Sequence, residues 1–299
     1  MSQRTWSGGD PTDPNKWGTA ANWLEGAVPI DNDDVTIAAE AESILDDLNQ
    51  ATLKLDSFHV EEGFKGDIGV LGTPLRFKLA VDDLVYAGSG VAWIDVVPDT
   101  GDLSPRILRC GQGRTGVFGL TLIGTAFKKI TLSGPGTLGV GVNPGDTSTR
   151  LDTLDVSGAG SVELGPSVAK ITAGSTDVTV SHASASVTAD CDVNEVEAVA
   201  GTFRQRTGIW TLANVHEATA YASGSGTYVM TNVDAQGKVF NNENNTARTF
   251  TDIEIENGGT WHDPAGTGVY TNSIEFPFGL DRCILDFGRD RKAKIEDIP

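Results

Sequence analysis

The 299 residues carry 22 Lys+Arg against 41 Asp+Glu, a formal charge of −19. So acidic a surface repels phosphate backbones and anionic headgroups, which argues against nucleic-acid or membrane-surface binding. Three cysteines, Cys110, Cys191 and Cys283, form no Cys-x-x-Cys pair, which argues against a disulfide-stapled domain and a structural zinc site and leaves buried free thiols as the expected state.

Residues 1–50 have a texture of their own. Three of the six tryptophans lie here, in Thr5-Trp-Ser-Gly-Gly, Asp13-Pro-Asn-Lys-Trp-Gly and Ala20-Ala-Asn-Trp-Leu-Glu-Gly-Ala-Val-Pro. Trp6, Trp17 and Trp23 in a Gly/Pro-rich loop are expected to cover the open end of an apolar stack, forming a cap or attachment region. Stacking on a carbohydrate is the alternative use of the same rings. Ile30-Asp-Asn-Asp-Asp-Val-Thr-Ile then reads as a turn feeding a short strand. Ala38 to Leu55 comes nearest to a 3.6-residue apolar pattern and is expected to hold a short helix.

The order Thr-Trp-Ser-Gly-Gly, Trp, Ala-Ala-Asn-Trp, Val-Pro, Asp-Asp-Val-Thr-Ile resembles the segment that opens β-solenoid passengers of bacterial surface proteins and structural proteins of tailed phages. Leu53-Lys-Leu-Asp-Ser-Phe-His-Val with Gly63-Phe-Lys-Gly-Asp-Ile-Gly is similar to the phage group in particular. The resemblance runs from the N-terminus to about Gly69 and takes in the looser repeats that follow. It implies a virion component. The surface-protein group carries secretion signals, and Met1 to Asp10 has no apolar core of that kind.

From 50 to 127 strands are expected at Leu53–Val60, Leu75–Leu79, Leu84–Ala87, Val91–Val97, Ile107–Cys110 and Val117–Ile123, separated by turn-rich segments such as Gly88-Ser-Gly. Beyond Lys129 a phrase of two apolar residues and a Gly-rich corner recurs, as in Ile130-Thr-Leu-Ser-Gly-Pro-Gly and Leu154-Asp-Val-Ser-Gly-Ala-Gly. Taking Ile130, Leu154, Ile171, Val196, Val215, Val233, Ile253 and Ile274 as anchors gives a mean step of about 21 residues. Short repeats of strand-type residues indicate coils of a β-helix. Gly, 36 of 299, concentrates where such coils turn. Asn241-Asn-Glu-Asn-Asn is expected as a loop. After Phe276 the repeat breaks, and Arg282, Arg289, Arg291, Lys292 and Lys294 make a basic tail suited to docking on an acidic partner.

The expected fold is therefore all-β: a right-handed parallel β-helix with a cap at 1–50, a solenoid body at 51–275 and a docking tail at 276–299. At about 4.8 Å per strand the eight anchored coils form a rod on the order of 35 to 40 Å long.

Catalytic and ligand chemistry is thinly represented. Asp33-Asp34, Asp46-Asp47 and Asp82-Asp83 are adjacent acids, and neighbours on a strand point to opposite faces, so no pair makes a two-acid site by itself. His59, His182, His216 and His262 have no sequence partner and read as surface histidines. Gly134-Pro-Gly-Thr-Leu-Gly lacks the ending of a phosphate-binding loop, and the Asp positions do not recur in phase for calcium. No catalytic residue, metal or cofactor is expected.

The function expected is a non-enzymatic structural protein of a phage virion, a capsid decoration or head spike, homotrimeric, with capsid or other virion proteins as partners. Its attachment residues would be Trp6, Trp17 and Trp23 and the five tail cations. One alternative is a polysaccharide-binding or polysaccharide-cleaving β-helix, with Trp210 and Trp261 joining Tyr228 or Tyr270 on an outer face against a surface glycan. The other is a bacterial adhesin.

Overall fold

The structure, a computed structural model, describes residues 2–69, 77–96, 106–110, 119–124, 127–142, 149–169, 174–234, 236–241, 247–256, 258–277, 283–287 and 295–297. It is a parallel β-solenoid. Among the described residues the only helix is a single 3-10 turn, Ala20–Asn22.

Two long ladders run side by side. The first face takes the strands Gln3–Trp6, Asp34–Ile37, Asn49–Val60, Phe77–Tyr86, Arg106–Cys110, Phe127–Leu132, Leu151–Val156 and Thr176–Val180. It continues through Val193–Gln205, Trp210–Ala222, Thr227–Val233, Arg248–Ile255, Ile274–Phe276 and Ile295–Asp297. The second face takes Val91–Val96, Gly119–Gly124, Thr137–Val140, Ser161–Leu164 and Ser186–Ala189, then the latter halves of Val193–Gln205 and Trp210–Ala222, then Lys238–Phe240, Thr260–His262 and Ile284–Asp286. Each strand joins the one a coil away, so the hydrogen bonds run along the rod.

Residues alternate in and out on both faces. On the first face one inward column passes through Val35, Phe58, Leu84, Ile130, Leu154, Val178, Val196, Ala213, Thr231, Ile253 and Ile274, with Leu108 at the register position between Leu84 and Ile130. Its rungs are widely spaced in sequence from Ile130 to Val178, tighten from Val178 to Thr231 and widen again to Ile274. Five expected anchors, Ile130, Leu154, Val196, Ile253 and Ile274, fall on this column. Ile171 lies outside the described residues, and its rung is Val178. Val215 and Val233 pair with each other, but two residues past the rungs at Ala213 and Thr231. Those two rungs carry small or polar side chains, so larger neighbours on the same inward face outrank them by hydrophobicity. Thr231 is tolerated inside because its hydroxyl accepts from Trp210 Nε1 at 3.0 Å.

Where the chain passes from first face to second within Val193–Gln205 it bends at Gly201, whose φ is +83°. A Cβ there would meet the His182 carbonyl at 2.5 Å, so glycine satisfies both the left-handed backbone and the close approach. The interior is one continuous apolar cluster from Trp6 to Phe287. Its C-terminal half holds a spine of rings, with Phe203–Trp210, Trp210–Tyr228, Tyr228–Phe250 and Phe250–Trp261 centroids 6.1, 4.6, 5.1 and 4.9 Å apart.

The helix expected within Ala38 to Leu55 does not form. Ile44 makes a parallel bridge to Ile68, and the strand Asn49–Val60 starts inside the segment. The strands expected at Leu75–Leu79 and Leu84–Ala87 are joined in Phe77–Tyr86. In Ala38 to Leu55 a ladder of neighbouring strands supplies pairing that a lone helical turn cannot match.

Candidate functional site

Trp6, Trp17 and Trp23 are 0, 2 and 2 % exposed. Trp23 stands edge-on to both others, at 5.2 and 4.7 Å, while Trp6 and Trp17 stack at 6.2 Å. Trp6 Nε1 donates to the Glu42 carbonyl and Trp23 Nε1 to the Trp17 carbonyl. No ring offers a face to a sugar or a partner, so the glycan-stacking alternative is corrected and their use as direct attachment contacts is corrected with it. The rings close the end of the core instead. The same segment covers the outer edge of the first strand. Leu24 N–H donates to the Thr5 carbonyl, Thr5 N–H donates to the Glu25 carboxylate, and Ser7 N–H donates to the Asn22 carbonyl. An exposed edge would template pairing with another chain, and this one is occupied.

The tail cations Arg282, Arg289, Arg291, Lys292 and Lys294 lie outside the described residues. Trp210, Trp261 and Tyr228 are fully buried, and Tyr270 packs against the same interior, so the outer-face grouping expected of them is also corrected. Asn241, expected in a loop, is fully buried and accepts from Arg248 Nη1 at 2.9 Å. Cys191 is a buried free thiol, its pKa pushed up to about 12 by burial and the neighbouring Asp192, and Cys283 is half-buried, its Sγ donating to the Ile255 carbonyl at 3.6 Å.

The adjacent acids are engaged locally. Asp33 is buried. Burial works to raise its pKa, but the Ile30 N–H, the Arg4 guanidinium and the Ser2 N–H outweigh it and hold the carboxyl below the usual range. Asp34, on the opposite side of the strand, accepts from the Ser57 hydroxyl at 2.6 Å. Asp82 pairs with Lys54 at 3.9 Å.

The second face carries an outward row that sequence reading missed. Arg204, Tyr221, Phe240, His262 and Asp286 occupy equivalent positions on successive coils. The Arg204 guanidinium lies 4.4 Å above the Tyr221 ring, Tyr221 stacks on Phe240 at 5.2 Å, and Phe240 stacks on His262 at 4.5 Å. His262 Nδ1 is 3.7 Å from Asp286. Each ring face covers its neighbour and only the edges meet solvent. Toward the N-terminus the same face opens into a groove of about 500 Å³, lined by Thr137, Gly139, Ser161, Glu163, Ser186 and Thr188 among others. Arg206 flanks it, bonded to Asp190 at 2.6 Å and to Glu163 at 2.5 Å, a clasp across successive coils.

The first face is acidic outside. Glu197, Asn214, Asn232, Glu254 and Glu275 form one outward row, tied by Asn214 Nδ2 to Glu197 at 3.0 Å and Asn232 Nδ2 to Asn214 at 2.9 Å. Beside it sits His216, not the lone surface histidine the sequence implied. Its Nδ1 is 2.6 Å from Asp234 and its Nε2 2.8 Å from Glu197. Burial works against the charged ring, but the two carboxylates outweigh it and raise the pKa above the ordinary imidazole value. Both ring nitrogens are engaged, so the group acts as a rivet between three coils. Burial and then Glu256 raise the Glu254 carboxyl.

Among the described residues no group of three or more His, Cys, Asp or Glu side chains is arranged to hold a metal ion, and no helix is long and apolar enough to cross a membrane. Comparison with protein-family models, with curated proteins and with solved structures finds no match to this chain.

Proposed function

We propose that the protein is a non-enzymatic structural component of a phage virion, a capsid decoration or head spike displayed on the particle as a homotrimer, after synthesis in the host cytoplasm. The observation that carries the structural half of this reading is the capped rod: a continuous apolar interior, ladders running along the axis, and a first strand whose open edge is occupied by Leu24 and Glu25. Such a body is stiff, has no hinge between lobes, and is protected from end-to-end growth at the N-terminal end. The virion half rests on the resemblance carried by the segment from the N-terminus to about Gly69. Purified protein added to emptied phage heads should co-sediment with them at a saturating, stoichiometric level. Absence of co-sedimentation, or non-saturating binding, would remove the decoration role.

A polysaccharide-binding or polysaccharide-cleaving activity is the second reading, and the groove on the second face favours it. Hydroxyls of Thr137, Ser161, Ser186 and Thr188 beside the Glu163–Arg206 pair suit a hydroxyl-rich ligand. A glycan array and a depolymerisation assay separate the readings: a signal lost in Thr188→Trp, which fills the groove, supports the glycan.

A further inference from the structure

The two outer faces carry complementary strips at the same height on the rod. On the first face, Glu195 is followed one coil on by Leu212, the next by Met230 and the next by Asp252. Leu212 and Met230 are apolar, half-buried side chains pointing away from the core. Across the same four coils the second face presents Arg204, then Tyr221, then Phe240 with Lys238, then His262. Acid, apolar, apolar, acid therefore stands level with base, aromatic, aromatic and histidine, with Lys238 one coil, about 4.8 Å, before the last rung. Lys238 is exposed and Arg204 half-buried.

We propose that the first face of one copy seats on the second face of another, with Leu212 and Met230 against the edges of Tyr221 and Phe240. Glu195 then faces Arg204 and Asp252 faces His262, with the exposed Lys238 reaching Asp252 from the coil before. The inference deepens the structural reading above and rests on it. A contact between two different patches is heterologous, and it closes into a ring or grows into a filament according to whether each copy is displaced along the axis. Here the matching residues share coils, so parallel rods meet without axial offset, the condition for a closed ring. The charges at either end of each strip set the register and reject the face-one to face-one pairing, which would oppose acids.

Sedimentation velocity on the full chain across micromolar concentrations tests the assembly. The unsubstituted protein should form one finite oligomer. Lys238→Glu should raise the dissociation constant about tenfold or more, as like charges then oppose Asp252, and adding Asp252→Lys should restore it. Mixed under oxidation, Met230→Cys and Phe240→Cys should give a disulfide-linked pair that Met230→Cys alone does not give, with the unsubstituted chain as the control for its native thiols. Circular dichroism on each variant confirms the fold. A monomer at every concentration overturns the proposal, as does an oligomer indifferent to Lys238→Glu, or Met230→Cys linking to itself. Head binding, measured on the same samples, separates the two failures: a monomer that still binds heads sinks this contact and leaves the virion role, and an oligomer that ignores heads does the reverse.

Discussion

His216 and Arg248 show how single side chains hold successive coils together. The His216 ring, between Glu197 and Asp234, has a folded pKa raised above its unfolded value near 6.5. A raised pKa means the stabilisation is fully present below the unfolded value and fades as pH climbs through the folded one. The ring is about one-third exposed, which places the pair in the range of surface bridges, about 0.5 to 1 kcal/mol. Urea midpoints of the parent and His216→Gln should therefore differ more at pH 5.5 than at pH 9. Equal differences at both would show that the carboxylates do not hold the proton. Arg248 is a different case, 1 % exposed inside the rod. Its Nε donates to the Gly224 carbonyl, Nη2 to the Ser223 carbonyl and Nη1 to Asn241 Oδ1, at 2.8, 2.8 and 2.9 Å. Arg248→Met keeps the bulk and takes the guanidinium from three buried acceptors, one of which, the Gly224 carbonyl, keeps another donor in the Tyr228 hydroxyl, so it should cost about 3 to 5 kcal/mol in urea unfolding. A loss under about 1 kcal/mol would mean that water replaces the guanidinium.

At the scale of elements the Trp cap closes one end of the continuous core, with Trp17 stacked on Phe58 at 6.4 Å, and its removal should unfold the rod from that end. Trp23→Ala empties the site edge-on to the stacked Trp6 and Trp17, with an expected loss of about 3 to 5 kcal/mol. It also frees the segment that covers the first strand, so light scattering should show concentration-dependent growth absent in the parent. Loss of stability without growth would show that Leu24 and Glu25 cover that edge without help from the ring. Elements were legible in the sequence where side chains repeat their chemistry. Ile130, Leu154 and Val196 mark rungs because bulky apolar residues recur at the coil spacing. Ala213 and Thr231 were illegible, since a small or hydrogen-bonded residue inside the rod leaves no hydrophobic mark. The outer rows were hidden for a related reason. Tyr221, Phe240 and His262 are unevenly spaced along the chain and become a row only once the inner register is known. Likewise His216 gains its two partners, Glu197 and Asp234, from the coils before and after its own, a proximity that only correct stacking creates.

The whole molecule is nearly one-dimensional, so its stability is a chain of interfaces between neighbouring coils rather than a single core energy. Those interfaces are unequal. Val193–Gln205 and Trp210–Ala222 stay in register from Val193 opposite Trp210 to Gln205 opposite Ala222, across both faces and the bend between them. Near the C-terminus the first-face contact is split, with Arg248–Phe250 opposite Gly268–Tyr270 and Ile253 and Glu254 opposite Ile274 and Glu275, and it then shortens to Ile274–Phe276 opposite Ile295–Asp297. Opening a coil at the end breaks one interface, whereas opening one in the middle breaks two, and here the middle also holds the longest one. Native-state hydrogen exchange should rank amides accordingly, with Trp210–Ala222 slowest and Ile274–Phe276 fast. The same inequality sets the reach of a damaging change. An Ala213→Asp carboxylate would lie inside the longest interface and should abolish the cooperative transition, while Ile274→Asp should fray the coils beyond Ile255 and leave the protection of Trp210–Ala222 intact. Uniform exchange along the rod, or global unfolding from Ile274→Asp, would mean that all coils rise and fall together and that the ladder behaves as one cooperative body.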